Sequence, residues 1–314
     1  MTHNAAVSIA GGGDFGVGPI AYLARLVADL RARGVSWDEV ATQVISLFAG
    51  TSVGAILAAG LAIGMDPVEL LGVFLHEVNG IFGERTTGGR LGLDPKYDDT
   101  YVNEALPRIF GQCTFAQTRT PLIVLAWDAS RKDLRVFGPQ DKDVPVWWAV
   151  RASMAAPTYF PPWGEYYAGQ TVPPSGIRSL YDGGLGENDP TVDAIATMYD
   201  QALIPQGRRF RALELVTSGK TAPVPVPVPD ANDITVAKGV VLPAVTTGNS
   251  SRAYERARAW AYSLGDTLMR DVFRARPDLP DWEMDDLDRI PQIRAAWEAQ
   301  YDRDKAELLD WLTC

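Results

Sequence analysis

The chain has 314 residues, enough for one large α/β domain or two small ones, and its 46% hydrophobic and 22% charged residues are those of an ordinary globular protein, not a disordered one. A net charge of -10 and a pI near 4.8 exclude the basic surface that a nucleic-acid backbone demands. The same acidity weakens attraction to anionic headgroups, so any contact with a membrane has to be apolar.

Met1 to Ala10 has neither a basic region nor a long apolar core and does not read as a signal peptide. Ala5–Ala10 reads instead as a strand, followed by glycines and an amphipathic helix from Pro19 to Arg33. Val44–Phe48 is a second strand, and Val53–Ile63 a helix. The apolar stretch Val53 to Met65 is too short and too Gly-rich to span a bilayer. Asp66-Pro67 caps and opens a helix that runs through Phe82. Gly83 to Pro95 is a loop, and Tyr97 to Phe110 is helical. Pro121–Asp128 is the strongest strand, an unbroken apolar run suited to a sheet covered on both faces, with Arg135–Phe137 as its hairpin partner. Pro145 to Met154 is helical, Arg178–Tyr181 a short strand, Asp189-Pro190 opens a helix through Leu203, and Leu213–Thr217 is a further strand. This alternation predicts an α/β fold with a mostly parallel sheet and helices on both faces. Val224 to Pro229 alternates Val and Pro and should be extended. Beyond it, Val236–Ala244, Arg252–Arg274 and Ile290–Leu312 look helical. Residues 1–250 therefore read as a catalytic domain, and 251–314 as a helical extension packed on it.

Three glycine motifs carry chemistry. Gly50-Thr51-Ser52-Val53-Gly54 is a G-x-S-x-G between a strand and a helix. A sharp turn there leaves no room for side chains beside the serine and lifts its hydroxyl to a helix N-terminus. Gly11-Gly12-Gly13-Asp14-Phe15-Gly16 directly follows the first strand, where glycines let successive N–H groups point into a shared cavity as an oxyanion hole requires. A dinucleotide fingerprint fits its spacing poorly, and a phosphate-binding P-loop lacks its Gly-Lys-Ser/Thr. Tyr181-Asp182-Gly183-Gly184 ends a strand on a tight turn, which by itself favours a turn aspartate accepting its own backbone amides over a base. A serine hydrolase usually takes His as base, placed after the acid residue, but this chain has only His3 and His76, both before Asp182. The serine needs a different base.

These motifs, in this order, resemble the patatin-like phospholipases. Gly50 to Gly54 matches that family's nucleophile motif and Asp182 to Gly184 its Asp-Gly-Gly motif, with Asn188 and Pro190 continuing it. Arg151-Ala152-Ser153-Met154-Ala155-Ala156-Pro157-Thr158-Tyr159-Phe160 is close to the family's Ala-Ser-x-Ala-Ala-Pro-x-Tyr-Phe segment. The likeness spans roughly residues 5 to 217. It departs at the glycine loop, where Ala10 and Phe15 replace the family's usual Asp and basic residue.

The resemblance implies a three-layer α/β/α fold and a Ser–Asp dyad: Ser52 as nucleophile, Asp182 as base, and the amides of Gly11, Gly12, Gly13 and Val53 as oxyanion donors. It implies a phospholipid or other acyl-lipid substrate and no cofactor or metal; Cys113 and Cys314 show no zinc or disulfide spacing either. A cytoplasmic protein, peripheral at membranes, is the expectation, with activation by a small ligand and self-association left open. Trp147, Trp148, Trp163, Tyr166 and Tyr167 read two ways, as an apolar rim for lipid or as core and loop packing. A soluble esterase or thioesterase would share every catalytic residue, and a lipid-binding scaffold is the third reading.

Overall fold

Runs of Val, Ile, Leu and Ala too apolar to face water form the centre of the molecule. The computed structural model describes residues 4–83, 86, 95–167, 169–171, 178–204, 209–217, 242–263, 271–280 and 282–313. His3, Cys314, the Val224 to Pro229 run, most of the Gly83 to Pro95 loop and the start of the helix expected at Val236 lie outside the described residues. The strands are β1 (Ala5–Ile9), β2 (Ile45–Thr51), β3 (Leu122–Asp128), β4 (Asp133–Phe137), β5 (Trp163–Gly164), β6 (Arg178–Asp182), β7 (Arg211–Leu215) and β8 (Val272–Ala275). The helices are α1 (Val17–Ala32), α2 (Trp37–Gln43), α3 (Val53–Ile63), α4 (Pro67–Ile81), α5 (Thr100–Phe110), α6 (Val146–Ser153), α7 (Thr191–Asp200), α8 (Leu242–Ser263) and α9 (Ile290–Thr313).

One mixed sheet joins the strands in the order β5-β6-β3-β2-β1-β7-β8, with β4 also paired to β3. β1 pairs in parallel with β2 and β7, β2 with β3, and β7 with β8, whereas β4, β5 and β6 join antiparallel. The chain thus moves outward from β1 through β2 to β3, then returns to the other side of β1. In such sheets the crevice at the carboxyl ends of the strands where direction reverses is where ligands bind.

Strand side chains alternate between the two faces. Val7, Ile9, Phe48, Val124 and Leu213 enter one core cluster, which α1, α3, α4 and α9 complete. Ala6, Leu47, Ala49, Ile123 and Leu125 enter a second, completed by Ala194, Ile195 and Met198 of α7 and Ala257 and Ala261 of α8. Three layers result, as expected. Helix α3 is apolar on all sides and buried almost throughout, the central helix against the sheet. Among the described residues, no helix is long and apolar enough to cross a membrane.

The C-terminal segment differs from its sequence reading in two respects. The expected break between helices at Val236–Ala244 and Arg252–Arg274 is bridged by α8, continuous from Leu242 to Ser263, and Val272–Ala275, most of it expected as the last turn of the second helix, is a strand in register with Ala212 to Leu215 of β7. The open edge of β7 supplies hydrogen-bond partners that outweigh a helical pattern over so few residues. Helix α9 packs along α1: Trp297 is fully buried, its indole sits where a Cβ on Gly18 would lie 2.0 Å from Cδ1, and it meets Tyr22 edge-on at 5.8 Å. Tyr301 donates to Asp29 at 2.6 Å and Lys305 pairs with the same carboxylate at 2.7 Å.

Because Trp297 fills a site shaped around it, Trp297→Ala is expected to cost about 3–5 kcal/mol of folding stability, read from chemical denaturation. A cost under about 1 kcal/mol would mean that α9 is a loosely attached appendage.

Candidate active site

Ser52 stands at the turn between β2 and α3 with φ 55° and ψ -127°, a backbone conformation that non-glycine residues adopt at a cost of about 1–3 kcal/mol. The turn is this tight because the chain doubles back against β1. A Cβ on Gly54 would lie 2.1 Å from the Ile9 carbonyl, and one on Gly50 would lie 2.3 Å from the Gly54 carbonyl. The Ser52 amide donates to Ser153 Oγ at 2.8 Å, and that hydroxyl donates to the Leu125 carbonyl at 2.5 Å. The strained turn is thereby tied to β3 through a buried serine, with the Ser52 hydroxyl at the positive end of α3.

Asp182 arrives from the opposite direction. β2 occupies one edge of β3 as far as Thr51, which pairs with Leu125, and β4 holds the other edge from Val124 to Asp128. β6 pairs antiparallel with β3 from Ala126 onward, so it must continue the edge that β2 vacates. Its last residue, Asp182, pairs with Ala126, one position beyond the partner of Thr51. The two strands meet end to end. Asp182 is 6% exposed and its carboxyl accepts hydrogen bonds from the Ser52 side chain and, at 2.7 Å, from the Gly184 amide. Burial pushes its pKa up to about 6 against those two bonds. Gly183 runs close beside β3, where a Cβ would lie 2.3 Å from the Leu125 carbonyl.

The glycine loop after β1 lies alongside. The Gly11 amide donates to the Asn188 carbonyl at 3.1 Å, and the Gly11 carbonyl accepts from Asn188 Nδ2 at 3.3 Å and from Thr217 Oγ1. That amide, expected as an oxyanion donor, is therefore committed within the loop, which leaves Gly12, Gly13 and Val53 as the expected donors still at the cleft. Phe15, where the resemblance expects a basic residue, is 3% exposed and belongs to the core; this position packs and supplies no charge. Asp14 is fully buried, and the neighbouring amides of Asp14 and Phe15 donate to Met284 O and Gly12 O. Burial, then the charges of Asp285 and Asp286, push its pKa up to about 8.

Ser52 and Asp182 open onto a cleft whose wall is apolar: Val53 and Ile56 of α3, Phe74, Val78 and Ile81 of α4, with Phe82, Met154, Tyr159, Phe160, Leu185 and Met284. An apolar wall of this kind suits an alkyl chain.

The family model for patatin-like phospholipases matches residues 7–195, more than half of the chain. The chain belongs to that family. It is 28% identical over 345 aligned residues to an 85/88 kDa calcium-independent phospholipase A2 of Rattus norvegicus, covering 95% of this chain and 38% of that protein. A cGAMP-activated phospholipase of Escherichia coli (strain TW11681) is 31% identical over 197 residues, 59% of this chain and 53% of its own length. Patatin-1-Kuras 2 of Solanum tuberosum is 26% identical over 212 residues, covering 63% and 52%. The chain spans about two fifths to half of the length of these relatives.

Several side chains in this patatin-like site were not assigned from sequence. Ser153 and Asn188 stand within the matched motifs, which marks their presence but not their bonds to Ser52 and Gly11. Thr217 and Met284 reach the glycine loop from far along the chain with no local signature. Of the two readings of the aromatic residues, core packing holds for the tryptophans: Trp147, Trp148 and Trp163 are 5%, 0% and 0% exposed, with Trp148 packed edge-on or tilted against Trp147, Trp163 and Tyr166, whereas Tyr167 alone of the five is exposed. Their indoles are worth more inside the core than in water. His76 is exposed on α4 beside Glu77 and takes no part in the cleft.

Asp14 holds its proton up to about pH 8 when folded but only to about 3.8 in its ordinary state, so stability falls as pH rises across that interval. Asp14→Asn is expected to melt with wild type at pH 4 and above it by about 5 °C at pH 8.5, a few kcal/mol at this chain length. Parallel melting curves at both pH values would contradict the burial of that charge.

Proposed function

We propose that the chain is a lipid acyl hydrolase that cleaves carboxylic esters through an acyl-serine intermediate. What carries this reading is the end-to-end meeting of β2 and β6, which sets a hydroxyl and a buried carboxylate in hydrogen-bond contact at an apolar cleft. Family membership and the phospholipase relatives support the substrate class.

In the first half-reaction the Ser52 hydroxyl attacks the ester carbonyl while Asp182 takes its proton. The amides of Gly12, Gly13 and Val53 hold the oxyanion of the tetrahedral intermediate. Its collapse breaks the bond to the alkoxide, which leaves with the proton from Asp182. Water then attacks the acyl-serine, Asp182 accepts a proton from it, and the fatty acid departs as Ser52 regains its hydrogen. A carboxylate of ordinary acidity would be a weak base for this step. Burial raises Asp182 to about 6, closer to neutrality while still ionised at pH 7.

A soluble esterase or thioesterase is the second reading, favoured by one observation. The tryptophans that would have made an apolar collar are buried, and among the described residues the exposed large apolar side chains, Val68, Tyr167, Tyr199 and Tyr262, do not line the cleft.

The test is fatty-acid release from mixed phospholipid vesicles, run beside a short soluble ester. Wild type is expected to release fatty acid, Ser52→Ala to lose all release, and Asp182→Asn to lose about 10²–10⁴-fold. Turnover of the soluble ester alone would favour the esterase, and release that survives Ser52→Ala would end the dyad reading. For wild type, kcat/KM should fall about tenfold per pH unit below about pH 6, where Asp182 takes up a proton. A profile flat from pH 7 to pH 4 would remove Asp182 as the base.

A further inference from the structure

The family match ends at residue 195, yet one wall of the cleft comes from far beyond it. Met284 lines the cleft, and its carbonyl accepts from the Asp14 amide at 2.8 Å. The approach is close: Gly13 has φ +59°, and a Cβ there would lie 2.1 Å from the Met284 carbonyl. The segment around Met284 therefore rests directly on the glycine loop.

What keeps it there is the next residue. Asp285 is 8% exposed; its carboxylate accepts from the Tyr97 hydroxyl and pairs with Lys96 Nζ. Lys96 and Tyr97 belong to the opposite rim, where their amides donate to the Thr158 and Tyr159 carbonyls at 2.7 and 3.0 Å. The Tyr97 ring packs on Phe82 at 5.8 Å and on Phe160 at 5.9 Å, and the Lys96 ammonium lies 5.0 Å above the Tyr159 ring. Phe82, Tyr159 and Phe160 all line the cleft. One carboxylate thus ties the glycine-loop side of the cleft to its aromatic side, through charge-assisted hydrogen bonds stronger than neutral ones.

The chemistry gives that tie a purpose. Oxyanion stabilisation depends on donors fixed in place before charge develops, and glycine is the residue least able to hold a backbone shape unaided. We propose that Asp285 is a positioning residue for acyl transfer at Ser52: by clasping Lys96 and Tyr97 it holds the Met284 segment on the glycine loop and so keeps the Gly12 and Gly13 amides aimed at the oxyanion. This rests on the reading of Ser52 as nucleophile. The Met284–Asp286 segment also lays two acidic side chains close to Asp14, which remains protonated and neutral beneath them at pH 7.

The experiment measures p-nitrophenyl butyrate hydrolysis by the full chain, with rates expressed per site titrated by a fluorophosphonate. Asp285→Asn, which weakens the bond to Lys96, and Tyr97→Phe, which removes the other donor, are compared with Lys305→Met, which breaks the half-buried pair between Lys305 of α9 and Asp29 of α1. Loss of a positioned oxyanion donor lowers kcat and leaves KM nearly unchanged, so Asp285→Asn and Tyr97→Phe are each expected to lose about tenfold in kcat with KM within about twofold. Lys305→Met is expected to keep the wild-type kcat. Unchanged kcat per titrated site in both clasp variants would overturn the proposal, as would an equal loss in Lys305→Met, since either would leave Asp285 a purely structural role. Hydrolysis that survives Ser52→Ala would instead remove the underlying reading, and the clasp with it.

Discussion

β3 has two edges, and on one of them two strands run toward each other and stop. β2 comes up parallel and ends at Thr51, and β6 comes down antiparallel and ends at Asp182, on adjacent rungs of the same ladder. The placement of Ser52 and Asp182 follows from that shared edge. The chain leaving β2 has nowhere to go but a sharp turn into α3, which puts Ser52 at φ 55° and demands glycine on either side. The chain leaving β6 turns through Gly183 against the Leu125 carbonyl, which points the Asp182 carboxylate at the gap. The sheet itself delivers a carboxylate acceptor to the Ser52 hydroxyl.

Such an arrangement stores unfavourable energy, and the surroundings hold it in place. A strained serine, an ionisable carboxyl buried among apolar side chains and a second buried carboxyl at Asp14 each cost stability. Against them stand a β1–β2–β3 core with both faces covered, an almost wholly buried α3, and the α1–α9 seam around Trp297. Ser153 is the local restraint: it accepts the amide of the strained residue and donates to β3, so Ser52 cannot relax without breaking the link to the strand against which β6 sets Asp182. Sites that work by pre-set geometry trade stability for it in this way.

Much of this was legible in sequence because the relevant signals are local. Unbroken apolar runs marked β1, β2 and β3, the glycine spacing marked the turn at Ser52, and the absence of a histidine after Asp182 pointed to a base other than histidine, which the family resemblance placed at Asp182. Helix α2 was overlooked although Ser36 and Glu39 form a capping box that the sequence spells out. Other features had no local signal. Val272–Ala275 is a strand only because β7 offers an open edge. The burial of Trp148 and Trp163 depends on a ring contact between residues fifteen positions apart, which no periodicity reports. Thr217 and Met284 reach Gly11 and Asp14 through contacts of long sequence separation, so the commitment of the Gly11 amide to Asn188 became visible only with the fold.

The most direct measurement is peptide mass spectrometry after reaction with a fluorophosphonate, a phosphorus analogue of the tetrahedral intermediate that bonds covalently to an activated serine. A single adduct on Ser52, formed rapidly by wild type at pH 7 and much more slowly by Asp182→Asn, is the result expected of a hydroxyl activated by the carboxylate that β6 delivers. An adduct on another serine, or labelling of Ser52 at the same rate in both proteins, would contradict it.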